Sequence, residues 1–203
     1  MEITRRPNAL RWMGLVALIA ASALALSGCT AGGDQAQQQH EAEPAPIVSV
    51  LPARPGLAPA GPVKSLTAAN YPTAVLGHPD ARLTVSLGRA GFRRGAWRTW
   101  TGPNGAKLVA VVALWKDGDA AAGINGTATN AIVPGGTAWT PSQFGGSQGK
   151  RDTNARVLAV IVGKVSLFLR AVGPVSDATV LRQMDLMFQS AAGEDRQGAS
   201  ANG

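Results

Sequence analysis

The 203-residue sequence holds a single cysteine, Cys29, and only two histidines, His40 and His78. One thiol excludes an internal disulfide framework and any multi-cysteine zinc or iron–sulfur site. Two histidines leave little material for a histidine-based active site, and no metal ligand set is assigned. Aromatic residues make up 5% of the chain, and acidic residues are the scarcer charge, 12 against 19 Lys plus Arg. The chain is long enough for one domain with a real core and too short for two large ones. A long membrane span is also missing. The one uncharged apolar stretch, Met13–Leu26, has fourteen residues, about 21 Å as a helix against a hydrocarbon core of about 30 Å.

Motifs for chemistry fail on their context. Gly145-Gly146-Ser147-Gln148-Gly149 has the G-x-S-x-G spacing that sets a nucleophilic serine on a sharp turn. No helical pattern follows it, however, and no histidine lies C-terminal to Ser147. The same stretch lacks the first glycine and the Ser/Thr of a phosphate-binding loop, with Phe144 and Arg151 at those positions. It reads as a flexible Gly/Ser loop. Asp117 and Asp119 lack the further acidic ligands of a calcium loop. The Asn125-Gly126-Thr127 sequon reads as chance, and His78, before Pro79, as a surface or capping residue. The expectation is a protein that is not an enzyme, with no catalytic residues and no cofactor.

What is present begins with an address. Arg5, Arg6 and Arg11 precede the short apolar stretch, the pattern of a secretory signal peptide. Leu26-Ser27-Gly28-Cys29 then closely resembles the lipobox of bacterial lipoproteins. That resemblance implies a diacylglyceryl group on Cys29, cleavage before it, a mature chain of 29–203, and a place on the extracytoplasmic face of the cell membrane. With Thr30 rather than Asp next, the inner-membrane retention signal of Gram-negative lipoproteins is absent. Two acyl chains hold a protein on a bilayer where one does so only marginally, because each buried methylene contributes about 0.8 kcal/mol. The excess of Arg over Lys and the Ala/Gly richness fit a GC-rich, actinobacterial source.

Residues 30–63 carry six prolines, three consecutive glutamines (Gln37–Gln39) and no aromatic residue. Such a segment cannot bury enough apolar surface to offset its ordering entropy, so 29–63 reads as a lipidated, disordered tether reaching about 30 Å. The polar tail 194–203 reads as frayed.

Between them, 64–193 is patterned as one α+β domain: a single antiparallel sheet with helices packed on a face, in the order α-β-β-α-(β)-β-β-α. Asp80 and Gly91 bracket a helix with Leu83 and Leu87 at helical spacing. Phe92–Trp100 and Lys107–Trp115 read as strands around the turn at 101–105. The second is apolar on both alternating faces and so should be central. Asp117 caps a helix ending at Ile132, and a loop with a short strand near Trp139 follows. Arg156–Val162 and Val165–Val172 form a hairpin across Gly163-Lys164. Ser176 caps a last helix with Val180, Leu181, Met184, Met187 and Phe188 on one stripe and Gly193 at its end.

The charge pattern supplies a candidate site. From Arg82 to Arg98 there are five arginines (82, 89, 93, 94 and 98) and no acidic residue, with Phe92, Trp97 and Trp100 among them. Over 64–193 the balance is 14 basic residues against 6 acidic. Arg82, Arg89, Arg93, Arg94 and Arg98 therefore form a candidate basic face for an envelope protein or an anionic wall polymer, and no recognition motif points to nucleic acid. Trp97 and Trp100, three apart on a strand, are expected on opposite faces. The alternative is a carrier or sensor for a small apolar ligand, held between sheet and helix near Trp115, Trp139 and Met184. The stretch Ala90-Gly91-Phe92-x-Arg94-Gly95, leading into an aromatic-rich hairpin and an Ala-rich helix, resembles small α+β domains of actinobacterial surface lipoproteins of unknown function, over about a third of the chain. No activity comes with that resemblance.

Overall fold

The computed structural model describes residues 50–51 and 56–200, with side chains through 192. Its elements are β1 (Ala58–Pro59), β2 (Lys64–Leu66), α1 (Tyr71–Leu76), α2 (Ala81–Arg89), β3 (Phe92–Thr101), β4 (Lys107–Trp115), α3 (Gly118–Ile132), β5 (Thr137–Ala138), β6 (Gln148–Arg151), β7 (Ala155–Val162), β8 (Val165–Val172) and α4 (Asp177–Ser200). The strands form one sheet in the order β1-β3-β4-β8-β7-β6-β5, and β2 also pairs with β3. Every pairing is antiparallel. This is the α+β class that the patterning predicts, with helices on both faces of the sheet rather than one.

The local reasons are legible. The Asp80 carboxylate accepts the Leu83 N–H at 2.9 Å and starts α2, whose Leu83 and Leu87 face inward. Asp117 starts α3 by accepting the Asp119 N–H at 2.8 Å. Ser176 Oγ accepts the Thr179 N–H at the start of α4. Strand β4, apolar on both sides, runs between β3 and β8 near the middle of the sheet. Two glycines of the Ala90–Gly95 stretch are there for close approach. Gly91 has φ 70° and would place a Cβ 2.7 Å from Lys116 Cβ; at Gly95 a Cβ would meet the Val112 carbonyl oxygen at 2.2 Å.

The apolar interior is two layers separated by the sheet. On one side α1, α2 and α3 close over Tyr71, Leu83, Leu87, Val109, Val111, Trp115, Ile124, Val157 and Phe168. On the other, Val180, Met184 and Met187 of α4 close over Trp100, Leu108, Val112, Leu158, Leu167 and Leu169. Both layers are made within 50–191, so this part of the chain carries its own core, which is what folding as a unit requires.

Three expectations are corrected. The domain begins before 64: Val50 and Leu51 are 2% and 3% exposed in the α4-side layer, and β1 pairs with Trp100 and Thr101. An apolar pair is hidden by the Pro-rich average around it, and a proline fits an edge strand because the sheet asks no N–H of its outer side. The stretch at 148–151 is a strand rather than a flexible loop, pairing with Arg156–Ala159. Its polar sequence gives no alternation, and backbone hydrogen bonds to β7 hold it instead. Gly193 does not end α4, which continues to Ser200. One interior glycine costs only about 1 kcal/mol, and good helix formers flank it. A short helix, α1, went unread because six residues are too few to show a period. Cys29 and the cleavage region before it lie outside the described residues.

Candidate functional site

The five arginines do not share a face. Arg82 and Arg89, seven apart, are both exposed on the outer side of α2, as their spacing predicts. Along β3, alternation puts Arg94 and Arg98 on the same side as Ala96 and Trp100, toward α4, which is the opposite side of the sheet from α2. There the Arg98 guanidinium lies 5.5 Å from the Trp100 ring centroid. A register shift between Phe92 and Arg94 marks a bulge at Arg93, which is exposed. Sequence proximity therefore overstated the cluster, because a sheet stands between its two halves. Trp97 and Trp100 do part to opposite faces. Trp97 is half-buried beneath Lys64, whose Nζ lies 4.9 Å from its ring centroid.

A different basic cluster forms at one end of the domain. The Lys116 N–H donates to the Gly91 carbonyl at 2.8 Å, and the Trp115 N–H to the Lys164 carbonyl at 2.9 Å. These bonds bring together the end of α2, the start of β3, the end of β4 and the β7–β8 turn. Arg89, Arg93, Lys116 and Lys164 are all exposed there, with Asp117 and Asp119 as the acidic residues of the same end. Lys116 and Lys164 carry no sequence signal of belonging to the site, since 48 positions separate them and each is a lone lysine beside a turn.

The apolar trio also separates. Trp115 belongs to the α1–α3 side, whereas Trp139 and Met184 belong to the α4 side. All three are buried core residues, and the sheet stands between Trp115 and the other two. The Trp115 indole N–H donates to Ser166 Oγ at 2.8 Å, and its ring meets Tyr71 and Phe92 edge-on at 5.9 and 5.4 Å. Trp139 lies under the Arg151 guanidinium carbon, 5.6 Å from its ring centroid. Arg151 and Arg156 both pair with Asp177 at the start of α4, so this second concentration of charge ties the helix to β6 and β7. A cleft of about 240 Å³ lies elsewhere, between α2 and α3, lined by Leu76, Leu83, Ile124, Ala128 and Ala131 with Asp80 and Arg82 at its polar edge. It falls just below the usual range of ligand pockets, about 300–1,000 Å³.

Buried polar groups on the α1–α3 side are structural. Arg170, 9% exposed, donates from Nη1 to the Leu76 carbonyl at 2.5 Å, at the C-terminal end of α1. Desolvation lowers its pKa. Tyr71 is fully buried and donates to Asn125 Oδ1 at 3.4 Å; desolvation raises its phenol well above the usual range. Asn125 is itself fully buried, which closes the sequon to modification in the folded domain. The exposed Asp152 carboxylate accepts the Asn154 and Ala155 N–H groups at 2.7 Å each, which lowers its pKa. Ser147 Oγ is buried at the start of β6 without a hydrogen-bond partner. Among the described residues, no three His, Cys, Asp or Glu side chains group as metal ligands, and no helix is long and apolar enough to cross a membrane.

A scan against protein-family models finds no match, and comparison with curated proteins finds none either. Among solved structures, the chain is similar to the extracellular domain of PknH from Mycobacterium tuberculosis. The identity is 8% and the TM-score 0.39, over 67% of this chain and 80% of that one.

Proposed function

We propose that this chain is a membrane-anchored extracytoplasmic lipoprotein of non-catalytic binding type, held by a diacylglyceryl group on Cys29. It meets an anionic envelope polymer or protein through a basic surface. The anchor is supported by the Leu26-Ser27-Gly28-Cys29 resemblance. The observation that carries the binding surface is the gathering of exposed Arg89, Arg93, Lys116 and Lys164 at one end of the domain. Cations dispersed over a surface are screened separately, whereas several within a Debye length, about 8–10 Å, add their potentials. This cluster replaces the Arg82–Arg98 face as the binding surface; Arg94 and Arg98 drop out of it.

Two experiments test the reading. Cys29→Ala should release the protein from the membrane fraction of cells, and a variant that stays there overturns the anchor. Thr30–Gly203 should bind anionic envelope extract in a salt-sensitive way, and Arg89→Glu/Arg93→Glu should weaken that binding. A second reading, a carrier for a small apolar ligand, has the cleft between α2 and α3 to seat it, a space smaller than the usual ligand pocket. Native mass spectrometry of Thr30–Gly203 separates the two: a reproducible added mass supports the carrier, and a bare mass the surface binder.

A further inference from the structure

The outer side of α2 leads into the basic end and carries an unusual neighbour. Val85 is 58% exposed, the large apolar side chain that stands out among the described residues, and Arg82 and Arg89 lie one turn to either side of it on the same face. A polyanionic polymer offers nothing to an exposed valine. The boundary of an anionic bilayer offers both halves of the complement, phosphates for the guanidinium groups and an apolar layer just beneath them.

The chain's own length favours that occupant. From Cys29 to Val50 there are 21 residues, which even fully extended span only about 70 Å. A domain anchored by that length meets headgroups at a high effective concentration, so a weak contact is occupied. Val50 joins the layer that holds Trp100, and β1 just after it pairs with Trp100 and Thr101, whereas Arg93 lies at the other end of β3. Eight strand residues separate these ends by about 26 Å, well within that reach.

We infer that the surface formed by Arg82, Val85 and Arg89 of α2 with Arg93, Lys116 and Lys164 docks on the anionic headgroups of the anchoring membrane, Val85 entering the headgroup layer. This inference rests on the binding-surface reading above and puts the anchoring membrane in the place of a polymer or protein as its partner. Asp117 and Asp119 oppose it at the same end, which keeps the contact reversible.

The test uses Thr30–Gly203, which lacks the lipidated cysteine, in sedimentation with vesicles of phosphatidylglycerol and phosphatidylcholine, with phosphatidylcholine alone, and with isolated anionic wall polymer. Binding is expected to the first only, and to be lost in about 1 M salt, where the Debye length is near 3 Å. Lys116→Glu/Lys164→Glu should weaken it roughly tenfold or more, and Lys116→Gln/Lys164→Gln by less; the neutral pair guards against a folding effect of charge reversal. Val85→Ser should weaken vesicle binding with all charges intact. Binding to wall polymer but not to vesicles overturns the membrane partner and leaves the binding-surface reading standing. Binding to neither, nor to envelope extract, overturns both. Vesicle binding that ignores the Lys116/Lys164 and Val85 substitutions overturns the assigned surface.

Discussion

Toward α1–α3, the sheet is covered by rings and tied polar groups: Tyr71, Phe92 and Trp115 meet edge to face, and Ser166, Asn125 and Arg170 sit among them. Toward α4 the helix meets the sheet through Val180, Met184 and Met187 over Leu and Val, with Trp100, Trp139 and Phe144 in the same layer, one tilted ring pair, Phe144 and Phe188 at 5.9 Å, and Gln183 buried on the helix. Aromatic edges and hydrogen bonds accept few geometries, whereas unbranched and aliphatic side chains re-pack readily. The first layer, with three mutually edge-on rings and an indole N–H bonded to Ser166, therefore fixes how three helices sit, and with them the basic end; the second has rings as well but meets one long helix mainly through Val and Met. The function proposed above lives on the layer with the less forgiving packing.

Substitutions can break that contrast. The largest effect should come from Trp115→Ala, which empties the aromatic cluster and orphans Ser166 Oγ. A loss of about 3–5 kcal/mol in denaturant unfolding is expected, and a loss below 1 would show that the cluster is not a keystone. Arg170→Ala should cost about 1–3 kcal/mol, since the Leu76 carbonyl loses its donor inside the layer. Hydrogen exchange in α1 should rise more than in α4.

Tyr71 gives a pH signature that the α4 side cannot. Its folded pKa is raised above the unfolded value of about 10, so its contribution is fully present below that pH and is lost as pH rises. The wild type should lose stability above about pH 10, by up to about 1.4 kcal/mol per pH unit from this group, and Tyr71→Phe should not show that component. Because the chain has one tyrosine, tyrosinate absorbance reads the event directly, and its appearance before unfolding would refute the sealed layer. The smallest effect should be Met184→Leu on the α4 side, under about 1.5 kcal/mol in the same unfolding measurement. A larger loss there would erase the difference between the faces.

Much of the fold was legible locally. Asp80, Asp117 and Ser176 announce three helix starts, and the runs at 107–115 and 165–172 are strands with the bounds expected of them. Elements held by pairing rather than burial were not legible: β6 is polar, and β1 and β2 are two and three residues long. The candidate site fared differently. Spacing correctly joined Arg82 with Arg89 and Arg94 with Arg98, because a helix and a strand each carry their own period. It could not say that the two pairs lie on opposite sides of one sheet, nor that Trp115 is parted from Trp139 and Met184 in the same way.

By itself, the sequence determined the class of fold, the helix caps, the central strand, the excess of positive charge and the resemblance at Cys29, since each rests on neighbours along the chain. Only the tertiary structure decided which cations stand together. Lys164 stands at the same end as Arg89 and Arg93 because β8 pairs with β4 and β4 with β3, and strand register over long separations is set by which faces find a partner to bury against.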